Sequence, residues 1–184
     1  MPAPPVKVVL DANVLYPFTL RDTLLRLAGE GFFQLYWSDD ILTEMTGSLV
    51  STGRMSEAQA ARLRREMEKA FPEAMVTGYG RLLAQMKNEP KDRHVAAAAV
   101  KAGASVVVTD NLQDFKPLPH GLEARSADTF LSAMLDLDSD TVVRVLREQA
   151  AALHRPSVSF EELLDGMARF LPHFIEGVRS HLAG

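Results

Sequence analysis

Acidic residues follow two apolar segments that have the composition of buried strands. Asp11 follows residues 6–10 in V-V-L-D-A-N-V-L, and Asp110 follows residues 105–109, S-V-V-V-T. Apolar runs without alternation are typical of strands buried on both faces, as in parallel sheets. Open α/β sheets bind their ligands beyond the carboxyl ends of such strands. The pattern therefore predicts either satisfied turn residues or an acidic cluster at one edge of a sheet.

Three further acids stand beside apolar residues at places that such a sheet brings together. Glu44 adjoins Met45 at the edge of a helix face, Asp92 opens a helix, and Asp114 follows the later strand. Each alone has an ordinary explanation as a turn, cap or solvated residue. Clustered carboxylates raise one another's pKa, so a cluster makes sense mainly with a divalent cation. Oxygen ligands select Mg²⁺ or Mn²⁺, which can polarise a phosphoryl oxygen and activate water.

The elements that must position these acids alternate between strands and helices in the first two thirds of the chain. Strands are predicted at residues 6–10, 33–37 and 105–109, with short ones near 75–77 and 122–124. Helices are predicted after Pro17, Ser38, Ser56 and Pro90, and then at residues 128–135, 141–153, 160–168 and 171–182. This order predicts an α/β domain over residues 1–126, a parallel sheet with helices on both faces. Residues 127–184 are predicted to form a C-terminal helical appendage.

Composition narrows the class of protein. The chain has 184 residues, 47% of them hydrophobic and 24% charged, and it contains no cysteine. Disulfides and thiolate metal sites are therefore excluded. The first residues, M-P-A-P-P-V-K, lack the pattern of a signal peptide, and no apolar run approaches a membrane span, so we expect a cytoplasmic protein without membrane association. A net charge of -4 argues against coating nucleic acid by charge alone.

Four motifs together resemble the PIN domain, a metal-dependent nuclease family. They are V-V-L-D-A-N-V-L, I-L-T-E-M, K-D-R-H-V-A-A-A-A-V and V-V-V-T-D-N-L-Q-D-F, in this order across about residues 6–126. Within the family the chain is most similar to VapC-type toxins of bacterial toxin–antitoxin pairs. Residues 127–184 more loosely resemble the helical C-terminal extension of one VapC subgroup.

The resemblance implies a metal-dependent endoribonuclease that uses Mg²⁺ or Mn²⁺ and is inhibited by a protein antitoxin. The implied catalytic acids are Asp11, Glu44, Asp92 and Asp114. The implied metal ligands are Asp11, Asp92, Asn111 and Asp114, with Asp110 as an extra ligand or a nearby acid. Thr109 and Asn13 are expected to orient carboxylates or water. Hydrolysis would leave a 5′-phosphate and a 3′-hydroxyl, with Glu44 orienting the attacking water.

Basic residues beside the predicted site are candidates for RNA binding. Lys87, Lys91 and Arg93 could contact phosphates. His94 also lies near Asp92 in sequence, and a core or surface role is expected for it.

Two other functions stay open. A phosphatase of the haloacid dehalogenase type also has Asp after strand one, but it needs an acid two residues later, where this chain has Asn13. A non-catalytic binding module on the same fold is the other alternative, because Asn111 leaves the site one charge poorer. Apolar helix faces near residues 41–71 and in the C-terminal segment could bury an antitoxin helix or a second copy, giving a homodimer.

Overall fold

The computed structural model of the chain describes residues 3–184. Met1 and Pro2 lie outside the described residues. The predicted domain over residues 1–126 and the segment that was compared with a signal peptide both begin there. Five parallel strands form one sheet in the order β3-β2-β1-β4-β5. The strands are β1 (Val6–Leu10), β2 (Phe33–Ser38), β3 (Met75–Val76), β4 (Val106–Val108) and β5 (Glu123–Arg125). The predicted parallel sheet is therefore confirmed.

Strand β1 lies in the middle of the sheet, which explains its unbroken apolar sequence. It pairs with β2 on one side and β4 on the other, so that Val8 lies between Leu35 and Val106. Val8, Val9 and Leu10 are fully buried. Because both neighbours run parallel to β1, their carboxyl ends reach the same edge of the sheet, where the predicted acids follow.

Nine helices among residues 3–184 flank or extend this sheet. They are α1 (Ala12–Leu15), α2 (Phe18–Gly29), α3 (Asp39–Ser51), α4 (Glu57–Ala70), α5 (Arg93–Ala102), α6 (Ala127–Leu137), α7 (Ser139–Ala151), α8 (Phe160–Ala168) and α9 (Pro172–Ala183). Short 3-10 turns occupy Gly80–Gln85, Pro90–Asp92 and Leu112–Phe115.

Local signals in the sequence account for most helix ends. The Ser38 hydroxyl accepts a hydrogen bond of 3.2 Å from the backbone N of Ile41 and caps α3. Ser56 and Gln59 form the capping box of α4. Gly103 ends α5 in the left-handed conformation, with φ of 70°.

The C-terminal helices belong to the same hydrophobic core as the sheet. The ring of Phe130 on α6 packs edge-to-face against Phe33 on β2, with centroids 5.0 Å apart. Helix α7 contacts α2 through a buried hydrogen bond of 2.8 Å from the Thr23 hydroxyl to Gln149 Oε1. Residues 127–184 are thus packed against the first part of the chain and not loosely appended to it.

The sequence predicts apolar helix faces near residues 41–71 that could bind a partner. These faces are mostly buried by contacts within the chain. Ile41, Met45, Ala60 and Met67 are buried. The exposed large apolar side chains among residues 3–184 lie elsewhere: Phe18, Leu83, Val100, Leu112, Leu137, Phe170 and Leu182. Among the helices of residues 3–184, none combines the length and hydrophobicity needed to cross a bilayer.

Candidate active site

Asp11 lies where β1 and β4 end side by side. Its backbone N donates a hydrogen bond of 3.0 Å to the Val108 carbonyl, which joins the two strand ends. Its Oδ1 accepts from the backbone N of Ala12 at 2.8 Å and so caps α1. Its Oδ2 accepts from the Thr109 hydroxyl at 2.9 Å. The carboxylate is buried and has one orientation fixed by the start of α1 and the end of β4.

Asn13 and Thr109 form a polar link beside this carboxylate. The Asn13 amide Nδ2 lies 3.0 Å from the Thr109 hydroxyl and 3.3 Å from Asp11 Oδ2. Asn13 Oδ1 accepts a hydrogen bond of 3.2 Å from the backbone N of Asp110. Residues that follow two different strands therefore hold the Asp11 side chain from both sides.

Asp92 and Asp114 are brought together by contacts between two turns. The Asp114 carbonyl accepts hydrogen bonds from the backbone N of Glu89 at 3.1 Å and from Asn88 Nδ2 at 3.2 Å. These bonds hold the turn Leu112–Phe115 against the turn Pro90–Asp92 that precedes α5. The Asn111 side-chain amide donates to Asp114 Oδ2 and orients it.

Lys91 lies between these two acids. Its Nζ is 2.9 Å from Asp114 Oδ2 and 4.0 Å from Asp92 Oδ2. The hydrogen bond and charge of Lys91 lower the pKa of Asp114 below its ordinary value. Asp92 receives less from the lysine, and its buried Oδ2 has no hydrogen-bond partner within the described residues.

Burial and mutual repulsion raise the pKa of the other two acids. Burial raises the pKa of Asp11, and the Glu44 charge raises it further, although hydrogen bonds from Thr109 and Ala12 oppose the change. Burial and then the Asp11 charge raise the pKa of Asp92 to about 6. A site with this much unfavourable negative charge favours binding of a cation.

Glu44 reaches the same site from α3 and is held by a histidine. Its Oε1 lies 2.8 Å from His94 Nε2, on the first turn of α5. The His94 side chain is largely buried, whereas about half of the Glu44 side chain is exposed. The sequence-based expectation of a core or surface role for His94 stays a prediction: the ring is largely buried, and it also contacts Glu44 of the candidate site.

One groove contains most of the acids. Its volume is about 770 Å³. It is lined by Asp11, Ala12, Asn13, Tyr16, Glu44, Gly47, Ser48, Ser51, Thr52, Lys91 and Asp92. Asp114 contacts this groove through Lys91. Tyr16 and the α3 residues beyond Glu44 were not singled out by sequence, since nothing in their types suggests chemistry until α1 and α3 are seen to face each other.

Several predicted site residues lie outside the groove. Asp110 Oδ1 accepts a hydrogen bond of 3.3 Å from the backbone N of Ala127 at the start of α6. Lys87 is exposed in a separate surface depression with Val100 and Pro117. Arg93 Nε donates to the Asn88 carbonyl at 2.9 Å. Among the three predicted phosphate-binding residues, only Lys91 lines the groove.

The donor set suits a hard divalent ion in type but does not form a closed ligand shell. Within residues 3–184 there is no ready group of three or more His, Asp or Glu side chains that could hold a metal. The partnerless Asp92 oxygen and the raised pKa of Asp11 and Asp92 nevertheless fit a cation site. Mg²⁺ commonly uses only one or two carboxylates and completes its shell with water and phosphate oxygens.

Two family models match the chain. The model described as PIN domain matches residues 7–113, more than half of the chain. The model described as VapC50 C-terminal domain matches residues 127–180. The first range includes the strands up to β4, and the second includes α6, α7, α8 and most of α9.

Two individual proteins are similar to the chain. The chain is 37% identical over 109 residues to a protein of Mycobacterium tuberculosis (strain ATCC 25618 / H37Rv) named "Putative ribonuclease VapC50". That alignment covers 58% of this chain and 64% of the relative. A crystal structure of VapBC2 from Rickettsia felis bound to a DNA fragment from their promoter is similar at 19% identity and a TM-score of 0.47, over 66% of this chain and 98% of that chain.

Proposed function

The chain belongs to the PIN domain family, and on that basis we propose that it is a divalent-metal-dependent endoribonuclease of the VapC type. The observation that carries the proposal is the convergence of Asp11, Asp92 and Asp114, from three separate segments, on one edge of the parallel sheet. Burying and crowding these acids is unfavourable without a cation, as the raised pKa of Asp11 and Asp92 indicates. The name of the Mycobacterium relative supports the same reaction class.

We assign Asp11, Asp92 and Asp114 as the residues that would hold Mg²⁺ or Mn²⁺. Such an ion, when bound, would stabilise negative charge on the scissile phosphate and lower the pKa of a coordinated water. Asn13 and Thr109 keep Asp11 in one orientation through their hydrogen bonds. Asn111 does the same for Asp114. Since Asn111 carries no charge, the metal site depends on the three remaining acids.

Glu44 is assigned as the base that accepts the proton of the attacking water. His94 holds its Oε1, while Oε2 makes no hydrogen bond with the described residues and is free to accept. Its partly exposed position on the wall of the groove gives it access to solvent. Lys91 is assigned to the RNA phosphate, because it is the only predicted basic residue among the described residues that lines the groove. To bind RNA, the Lys91 ammonium must therefore leave the Asp114 carboxylate and contact a substrate phosphate instead.

Partners and organisation follow as further proposals. The proposed substrate is RNA. A protein antitoxin is proposed to inhibit the enzyme in the cytoplasm. Homodimerisation is proposed as an additional way to bury exposed apolar side chains. Residues 1–126 act as the nuclease domain and residues 127–184 as a helical extension. The two matched family ranges, 7–113 and 127–180, support a division near residue 126.

The test is cleavage of a 5′-labelled RNA by the purified chain with Mn²⁺ or Mg²⁺, beside an EDTA control. We expect metal-dependent products with 5′-phosphate and 3′-hydroxyl ends. RNA binding without cleavage by a folded, antitoxin-free sample would contradict the proposal. That outcome would favour the non-catalytic module, which the neutral Asn111 and the incomplete ligand shell also suit.

A further inference from the structure

The groove extends well past the acids, between α1 and α3. Asp11 and Tyr16 cap the two ends of α1, so they are separated by about 7 Å along its axis. On the opposite wall, Glu44 and Thr52 are separated by about 12 Å along α3. The far part of the groove, which we call the distal groove, is lined by Tyr16, Gly47, Ser48, Ser51 and Thr52. None of these residues has a role in the proposed reaction.

The α3 wall of the distal groove carries no bulky side chain at Gly47 and Ser48. Gly47 and Ser48 are exposed, and a Cβ added at Gly47 would meet no atom within 4 Å. Glycine in a helix interior lowers stability relative to alanine, so its presence here has a cost that local structure does not explain. The near end of the groove contains a nine-tenths buried acceptor, Asp92 Oδ2, which lacks a partner in residues 3–184. The distal groove is therefore continuous with the acidic site.

Tyr16 closes the far end of this groove in a fixed position. The Thr52 hydroxyl donates to the Ser48 carbonyl at 2.7 Å, so the Tyr16 hydroxyl must be the donor in its 2.9 Å bond to Thr52. That bond joins the end of α1 to the end of α3. The ring is thus held in place before any ligand binds, which lowers the entropic cost of binding.

A free cation accompanies this ring. The Arg54 guanidinium carbon lies 5.8 Å from the centre of the Tyr16 ring. Arg54 is exposed and makes no ion pair with any described residue. By contrast, Lys91 is paired with Asp114 at the acidic end. Arg54 does not itself line the groove, but it contacts the ring that closes the far end. An aromatic ring with an unpaired positive charge beside it is the combination with which proteins bind unpaired nucleotides.

We propose that Tyr16, Arg54 and the open α3 wall at Gly47 form a subsite for an unpaired nucleotide next to the scissile phosphodiester. The base stacks on the Tyr16–Arg54 pair, and Arg54 also attracts the adjoining phosphate. This inference rests on the proposed ribonuclease function and assigns the residues that contact the base beside the cleavage point. A duplex would keep its bases stacked internally and could not use the ring.

The test measures binding without cleavage. Fluorescence anisotropy in EDTA would compare a single-stranded RNA with a duplex of equal length on an Asp11→Asn background. Arg54→Gln and Tyr16→Leu should each weaken single-strand binding about fivefold or more, since one stacked base contributes about 1–3 kcal/mol. Gly47→Leu should weaken it similarly by filling the groove, while its melting temperature stays at or above that of the parent. Tyr16→Phe keeps the ring but loses the bond to Thr52, so its affinity should lie between those of the parent and Tyr16→Leu.

Two variants on the exposed side of α4 serve as controls. Arg62→Gln removes an exposed cation and Ala61→Leu adds an apolar side chain, both outside the groove. Neither variant should weaken RNA binding by more than the small effect of losing one non-specific attraction to an RNA phosphate. Arg54→Gln and Gly47→Leu binding as tightly as these controls would overturn the subsite and leave the ribonuclease proposal standing. Failure of the parent to bind or cleave any RNA would instead overturn both.

Discussion

The Lys91 ammonium lies 2.9 Å from Asp114 Oδ2, within the set of acids that we assign to metal binding. The pairing raises the pKa of Lys91 and lowers that of Asp114. A side-chain cation thus balances part of the charge that a divalent ion would balance. Most of the lysine side chain is exposed, so it can leave this position.

Lys91→Gln should strengthen metal binding. The substitution removes a competitor for Asp114 and a positive charge beside Asp92, and solvent screening keeps the effect of such an exposed pair small. We expect the Kd for Mn²⁺, measured by titration calorimetry, to fall by about fivefold or less. Lys87→Gln is the matched control, because Lys87 lies in a separate depression. Weaker Mn²⁺ binding in Lys91→Gln would show that the lysine supports the metal site instead of competing with it.

Asp92→Asn should stabilise the metal-free protein above neutral pH. The folded-state pKa of about 6 exceeds the ordinary value of 3.8, so the native state holds this proton more tightly than the unfolded state. Stability is therefore lost as pH rises from about 4 through 6, and the loss is complete above that window. The asparagine variant should melt at a higher temperature than the parent in EDTA at pH 8. The two should differ little at pH 4.

Bound metal should stabilise the parent more than it stabilises Asp92→Asn. Mn²⁺ at pH 8 should raise the melting temperature of the parent more than that of Asp92→Asn, because only the parent keeps the acid that the ion neutralises. An Asp92→Asn protein that is less stable than the parent in EDTA at pH 8 would contradict this account. It would mean that interactions within the fold already stabilise the charged Asp92 carboxylate, without a cation.

His94→Ala should slow cleavage without weakening RNA binding. His94 Nε2 is the only described partner of the Glu44 carboxylate, and losing one charge-assisted hydrogen bond corresponds to about a tenfold effect. The expected change is in kcat, with KM nearly unchanged. In a Glu44→Gln background the same substitution should cost little more, because the two residues act together. Additive losses in the double variant would indicate that His94 acts independently of Glu44.

Gln149→Leu should destabilise the whole chain in one step. Gln149 is buried, accepts from the Thr23 hydroxyl at 2.8 Å and donates to the Thr19 carbonyl at 3.0 Å, so its substitution removes two hydrogen bonds that join α7 to α2. We expect the free energy of unfolding in urea to fall by about 1–3 kcal/mol. Gln85→Leu, at an exposed position, is the control. Two separate unfolding transitions would contradict the shared core of the sheet and C-terminal helices.

The sequence was most informative where local chemistry determines structure. The apolar runs before Asp11 and Asp110 identified the central strands β1 and β4, and the Ser38 and Ser56 caps located two helices. These features depend on residues within a few positions of one another, so no tertiary information is needed to find them.

Contacts between distant segments could not be found in this way. The pairing of Glu44 with His94 spans 50 positions and depends on how α3 packs beside α5. Asp110 follows a strand just as Asp11 does, yet its carboxylate bonds to Ala127 because α6 begins beside it. Equivalent sequence positions thus have different surroundings once the helices are packed.

The most direct measurement of the central claim compares these two aspartates. Single-turnover cleavage of a labelled RNA with Mn²⁺ would be followed for the parent, Asp11→Asn and Asp110→Asn, all checked for folding by thermal melting. We predict that Asp11→Asn loses cleavage by about a hundredfold or more, whereas Asp110→Asn stays within a few-fold of the parent. Cleavage that survives Asp11→Asn and disappears in EDTA would contradict the assignment of this groove as the active site.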